Sequence, residues 1–200
     1  AAALLAAALV MRRPLTLTNL DVDSDDTQAL IAALDALTPA MGATLRIDLS
    51  AEGGILTLTP GATRHAQAVR HINGDACIDS VPTLVAAACF AEGETHFEQV
   101  ETLRLKESDR IGDLCAELQK AGADVTPLPD AIIVRGRPQG IVGGAAVDGH
   151  DDHRLVQALA IIASGSERGL AIANADAVAK SYPWFFDDLL RLGGRISGVS

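Results

Sequence analysis

Leu84-Val85-Ala86-Ala87-Ala88-Cys89-Phe90-Ala91 is an unbroken apolar run built mainly on alanine, and related runs occur twice more in the chain, LLAAALV at 4–10 and LVQALAIIA at 155–163. A helix with one apolar stripe lies on a surface, whereas one apolar on all sides is buried all round. Working outward, each run is followed by a turn and a short alternating strand: Leu15–Asn19, Thr95–Val100 and Leu170–Asn174. Each strand leads to a second helix that stops at a glycine. The first carries Leu30, Ile31, Leu34 and Leu37 before Gly42. The second carries Ile111, Leu114, Cys115 and Leu118 before Gly122, and the third Phe185, Phe186, Leu189 and Leu190 before Gly193. Apolar residues at i, i+3, i+4 and i+7 with glycine just beyond them mark an amphipathic helix and its C-cap.

Strand pairs follow the first two stops. Thr44–Leu49 and Ile55–Thr59 flank Gly53-Gly54; Asp124–Pro127 and Ala131–Arg135 flank Pro129-Asp130. The third copy starts a strand at Arg195-Ile196. The recurring unit is helix, strand, helix, strand, strand, with boundaries near 1–70, 71–140 and 141–200. No unit can bury its helices alone, so three packed together, helices inside and sheets outside, form one α/β domain over 1–200. The competing arrangement is a doubly wound sheet with coincidental alternation.

The chain has 200 residues, 48% of them hydrophobic and 3% aromatic, enough for a core of Ala, Leu, Val and Ile. Sixteen Lys+Arg against 26 Asp+Glu give a net charge of −10, which disfavours nucleic acid and anionic membrane as partners. Cys77, Cys89 and Cys115 have no metal or disulfide spacing and read as buried small hydrophobes in a reducing cytosol. The unbroken apolar run Ala1–Val10 is shorter than the roughly 20 residues of a membrane span. The chain opens on alanine rather than Met, and reads as a segment whose first helix has lost its lead-in.

The repeat exposes the unusual residues. Where a strand enters its second helix, copy one has only acids and a cap, Asp21-Val22-Asp23-Ser24-Asp25-Asp26. Copy two has Lys106-Glu107-Ser108-Asp109-Arg110, and copy three Lys180-Ser181-Tyr182-Pro183. Ser108 and Ser181 can cap, and Pro183 suits a first turn. Cations at a helix start oppose the dipole unless an anion is bound there. The first helices are preceded by Ile78-Asp79-Ser80 and by His150-Asp151-Asp152-His153-Arg154, whose spacing matches no familiar metal set. Pseudo-symmetry gathers Asp79, Lys106, Glu107, Arg110, Arg154 and Lys180 on one face, cations and carboxylates suited to a ligand bearing phosphate and carboxylate.

These residues carry a resemblance. Arg104-Leu105-Lys106-Glu107-Ser108-Asp109-Arg110 resembles the R-x-K-E-[ST]-D-R signature of the EPSP synthase (3-phosphoshikimate 1-carboxyvinyltransferase) family. Asp152-His153-Arg154 is similar to its D-H-R motif, Lys180-Ser181-Tyr182-Pro183-Trp184-Phe185-Phe186 to its late K-[ST]-[FY]-P-x-[FY]-F segment, and Asp79 matches its catalytic aspartate. The resemblance implies two domains of three βαβαββ-type units with the site between them, this chain being the C-terminal domain and the N-terminal domain its partner. It implies transfer of the enolpyruvyl group of phosphoenolpyruvate to the 5-hydroxyl of shikimate 3-phosphate, without metal or organic cofactor, in a cytoplasmic monomer serving chorismate and aromatic amino acid biosynthesis. Asp79 would take the hydroxyl proton, Lys106 contact hydroxyl and phosphate, and Glu107 protonate the methylene carbon. Arg110 and Arg154 would hold the carboxylate and Lys180 the phosphate. Thr102 stands where some members carry a substrate-contacting Asn. The alternatives are a UDP-N-acetylglucosamine enolpyruvyl transferase, which lacks this pairing of motifs, and an anion-binding module without catalysis.

Overall fold

Alanine lets helix axes approach closely, and the three alanine-rich runs do this at the centre of the molecule. A computed structural model describes residues 1–62 and 69–198. In chain order these form α1 (Ala2–Met11), β1 (Leu15–Leu20), α2 (Asp25–Leu37), β2 (Ala43–Ser50), β3 (Gly53–Pro60), β4 (Val69–Asn73), α3 (Val81–Ala88), β5 (Glu94–Glu98), α4 (Gly112–Lys120), β6 (Asp124–Pro127), β7 (Ala131–Arg135), β8 (Ala146–Asp148), α5 (His153–Gly165), β9 (Ala171–Ala173) and α6 (Phe185–Arg191). Helices α1, α3 and α5 pack on one another. Ala6, Ala7, Ala8, Ala86, Ala87 and Ala158 are fully buried there. Burial on all sides matches runs that have no polar face.

Among the described residues three sheets surround this bundle, ordered β1-β3-β2, β4-β5-β7-β6 and β8-β9. The first two present alternate side chains inward, Leu56 and Leu58 on β3, Phe97 on β5, and Ile132 and Val134 on β7, all nearly inaccessible, and β8 buries Val147. Helices inside and sheets outside is therefore the observed mixed α/β arrangement, not a doubly wound sheet.

Three sequence expectations need correction. Strands β4 and β8 precede α3 and α5 and pair in parallel with β5 and β9, His71 opposite His96 and Val147 opposite Ile172. Parallel neighbours need a crossover, which α3 and α5 supply. Neither strand shows in the hydrophobic pattern: β4 buries Arg70, hydrogen-bonded to the Thr95 hydroxyl, while Val69 is exposed, and β8 is three residues long. Helix α2 stops at Leu37 rather than running to Gly42, because Pro39 opens a 3-10 turn, Pro39–Met41, that ends on Gly42 in left-handed geometry. Arg195-Ile196 lies in non-regular backbone rather than a strand.

Cys77, Cys89 and Cys115 are buried free thiols, as expected of small apolar fillers. Burial pushes the Cys77 thiol up to about 11 and the Cys115 thiol up to about 12, which suppresses the reactive thiolate. Among the described residues no helix is long and apolar enough to cross a membrane.

One glycine fixes how β7 leaves the sheet beneath α3. A Cβ on Gly136 would lie 2.0 Å from the Ala91 carbonyl oxygen and 2.8 Å from that of Ala88. Both are backbone atoms at the C-terminal end of the helix and cannot rotate away. Gly136→Ala is expected to destabilise by about 1–3 kcal/mol, lowering the midpoint of thermal unfolding by several degrees. An unchanged midpoint would show that this chain crossing can relax.

Candidate active site

The chemistry-bearing residues stand just past the C-terminal ends of parallel strands. The chain leaves β4 through a 3-10 turn, Asp75–Ser80, which presents Asp79 ahead of α3. It leaves β5 through another, Glu101–Leu105, after which extended Lys106 opens the loop to α4. Because β4 and β5 run side by side in parallel, Asp79 and Lys106 emerge at the same sheet end. Beyond β8, His150 and Asp151 both have left-handed backbone, φ 51° and 52°, turning the chain sharply into Asp152 and the first turn of α5. A fourth segment, Ala175–Lys180 after β9, ends on Lys180.

Asp79 is the focus. Its carboxylate lies 3.6 Å from the Lys106 ammonium, 3.4 Å from Arg110 Nη1 and 3.6 Å from Arg154 Nη2. Three cations from two other segments thus converge on one carboxylate, which is still 54% exposed. Glu107 sits beside it, 3.4 Å from Arg110 Nη2 and 2.8 Å from His153 Nδ1. Arg154 Nε is buried without a hydrogen-bond partner among the described residues. A buried guanidinium N–H is normally satisfied, and its natural partner is a planar oxyanion.

Beneath this surface lies a rigid support. Arg110 is 3% exposed and donates from Nε to Asp152 Oδ2 at 2.7 Å and from Nη2 to Oδ1 at 3.1 Å, a two-point pairing. Asp152 also accepts from the Ser108 hydroxyl at 3.0 Å and, as N-cap of α5, from the Arg154 amide at 2.8 Å. Burial opposes ionisation of Asp152, but its bonds to Arg110 and the Arg154 amide outweigh that and hold the carboxyl below its ordinary range. Lys180 donates to the Asp151 carbonyl at 2.7 Å and pairs with its carboxylate at 2.9 Å. The hydrogen bond to Asp151 holds the ammonium pKa above its usual value, and the charges of Asp151, Glu107 and Asp152 add to it.

Several sequence readings change at this level. Only Arg154 lies in the first turn of a helix; Asp79, Lys106, Glu107, Arg110 and Lys180 occupy the connections ahead of α3, α4 and α6. Ser108 does not cap α4. Asp109 Oδ1 accepts from the Ile111 and Gly112 amides at 3.1 and 3.0 Å instead, and Ser108 turns to Asp152. Ser181 makes no cap for α6, and Pro183 precedes its first turn. Thr102 is exposed on the 3-10 turn, and no side-chain hydrogen bond among the described residues links it to the cluster. Sequence reasoning missed the supporting role of Asp152 and the contact of His153 with Glu107. The compact Asp152-His153-Arg154 triplet was the available signal, since a helix start points successive side chains in different directions.

Glu107, Asp152 and His153 bring three potential metal-ligating atoms within 4.8 Å of one another. Both Asp152 oxygens are already committed to Arg110, Ser108 and the Arg154 amide, so this group reads as an ion-pair network rather than a metal cage.

Comparison with known proteins gives one family for the chain. The family model described as EPSP synthase (3-phosphoshikimate 1-carboxyvinyltransferase) matches residues 1–189. A 3-phosphoshikimate 1-carboxyvinyltransferase of Ruminiclostridium cellulolyticum is 38% identical over 192 residues, covering 94% of this chain and 42% of that protein. One from Deinococcus radiodurans is 40% identical over 194 residues, covering 97% and 42%. The chain thus spans less than half the length of these curated relatives. An EPSP synthase structure from Acinetobacter baumannii superposes with a TM-score of 0.76 at 25% identity, over 96% of this chain and 45% of the other. The enolpyruvyl transferase NikO of Streptomyces tendae shares the fold, with a TM-score of 0.66 at 19% identity. With the family match running through nearly all of its length and two relatives at 38% and 40% identity, this chain belongs to the EPSP synthase family.

Proposed function

We propose that this chain is one domain, built of three repeats at about 1–70, 71–140 and 141–200, of an enzyme that transfers the enolpyruvyl group of phosphoenolpyruvate to the 5-hydroxyl of shikimate 3-phosphate. The observation that carries the reading is the convergence of Lys106, Arg110 and Arg154 on Asp79 at 3.4–3.6 Å. A carboxylate among cations can hold a hydroxyl and accept its proton while the cations hold a dianionic donor.

In the proposed reaction the 5-hydroxyl oxygen bonds to the central carbon of phosphoenolpyruvate and its proton passes to Asp79. The methylene carbon takes a proton from Glu107, whose 2.8 Å contact with His153 gives that proton a relay. Elimination then removes a proton from the new methyl group, re-forms the double bond and releases phosphate. Arg154, whose Nε has no partner among the described residues, binds the donor carboxylate. Lys106 and Lys180 hold the phosphate. Arg110 contributes an outward Nη1 but is otherwise held by Asp152, so it serves as much to position the site as to bind. Thr102 is a substrate contact only in the closed two-domain enzyme. The reaction draws on no metal or organic cofactor, and the site closes against a second, N-terminal domain in a cytoplasmic monomer.

Phosphate release from phosphoenolpyruvate and shikimate 3-phosphate tests this reading. The full-length protein is expected to turn over both substrates together and neither alone. The isolated 200-residue chain is expected to release none, because the site then lacks its other wall; turnover by this chain alone would overturn the two-domain reading. Turnover with a UDP-sugar acceptor instead would favour the related transferase, and binding of neither acceptor a non-catalytic module.

A further inference from the structure

We propose that His71, His96 and Glu98 form a binding site for a zinc-like transition-metal ion on the outer face of the second sheet. Strand alternation sends Ile72 and Phe97 into the core and leaves His71, His96 and Glu98 on the opposite face. His71 and His96 are directly opposed across the parallel β4-β5 pair, and Glu98 lies two residues beyond His96 on the same face. Their rings meet edge to face, with centroids 4.9 Å apart. His71 Nδ1 is 2.8 Å from Glu98 Oε1, and His96 Nδ1 is 4.0 Å from the same oxygen. One ligand atom from each of the three residues falls within a 4.8 Å group. Zinc bonds of about 2.0–2.1 Å in tetrahedral geometry put neighbouring donors roughly 3.3 Å apart, within this range, so small side-chain rotations close the site.

The outer ring of the site is already built. His96 Nε2 is 2.5 Å from Glu94 Oε1, while Glu94 Oε2 pairs with Arg135 Nε at 2.9 Å on the next strand. That arrangement commits the Nε2 hydrogen of His96 to a carboxylate and leaves Nδ1 with its lone pair toward Glu98. A carboxylate that fixes the tautomer of a ligating imidazole is the recurrent support of histidine metal sites. Two imidazoles and one carboxylate favour zinc and its neighbours over magnesium or calcium, which prefer oxygen cages. The fourth position faces solvent, as His71 and Glu98 are half-exposed. An ion there would tie β4 to β5, the strands whose ends present Asp79 and Lys106. The site is separate from the Glu107, Asp152 and His153 group, which lies in the catalytic cluster.

Calorimetric titration of the intact metal-free protein with zinc chloride and, separately, magnesium chloride tests the proposal. One zinc ion is expected to bind with micromolar affinity or better, and magnesium not at all over the same range. His71→Ala and His96→Ala are each expected to weaken zinc binding by well over tenfold, and Glu94→Gln by about tenfold or more. His153→Ala should leave it unchanged. Because the three side chains lie on an outer face, the variants should keep the circular dichroism of the wild type; His71→Gln, which preserves size and polarity, serves as a second variant. Zinc uptake that survives the His71 and His96 substitutions, uptake abolished by His153→Ala, or uptake only at millimolar zinc would overturn the assignment.

Discussion

Asp79→Asn in the full-length protein is expected to lower kcat by about 10²–10⁴-fold without raising the KM for phosphoenolpyruvate. The substitution keeps the shape of the side chain and removes its negative charge and its ability to take a proton. In the native site that charge partly neutralises Lys106, Arg110 and Arg154, all within 3.4–3.6 Å. Without it the same cations attract the anionic donor at least as strongly, so binding holds or tightens while the proton-transfer step fails. A structural role would give a different result, with a lower unfolding temperature and a higher KM. Steady-state kinetics with both substrates varied, beside thermal unfolding of the same variant, separates the two. The half-exposure of Asp79 leads us to expect an almost unchanged unfolding midpoint.

Asp152→Ala should act in the opposite way, on folding first. Arg110 is buried, and Asp152 supplies its two shortest contacts. Removing one member of a buried pair takes away the closest compensation of the other charge and leaves Arg110 only the longer 3.4 Å contacts with Asp79 and Glu107, at a cost of about 3–5 kcal/mol. The same change uncaps α5 and frees Ser108. For a domain of this size the unfolding midpoint should fall by on the order of 10 °C. The pH dependence carries a sign. The Asp152 carboxyl is held below its ordinary range in the folded protein, so its contribution is fully present above the unfolded carboxyl pKa of roughly 4 and is lost as the pH falls through the folded value. The stability gap between wild type and Asp152→Ala should therefore be widest near neutrality and narrow in acid. A gap that stays constant into acid would show that Asp152 acts through packing rather than charge.

Much of the fold was legible because its strongest signal is simple. Three runs without a polar face require burial on all sides, and only a central bundle satisfies all three. Helix α4 was equally plain, its stripe of Leu114, Cys115 and Leu118 being fully buried. The leading strands were not legible, since a parallel strand of three to five residues carries little periodicity, and β4 inverts the usual pattern by burying Arg70. Of the candidate site, the charged positions could be read as out of place at helix approaches. Their division of labour could not. Arg110 and Arg154 are both arginines beside acids in sequence, yet one is locked against Asp152 and the other keeps a buried N–H without a partner among the described residues. That difference depends on contacts 42 residues apart in the chain, which no local pattern encodes. Thr102 shows the converse, a position that departs from the Asn of some family members and is exposed on its 3-10 turn.

The most direct measurement is a crystal structure of the full-length Asp79→Asn protein, slowed in catalysis, with phosphoenolpyruvate and shikimate 3-phosphate bound. The donor carboxylate is predicted to lie against Arg154 Nε, its phosphate between Lys106 and Lys180, and the acceptor hydroxyl against the substituted side chain. Both substrates bound elsewhere, with Lys106, Arg154 and Lys180 left to solvent, would contradict the shared site.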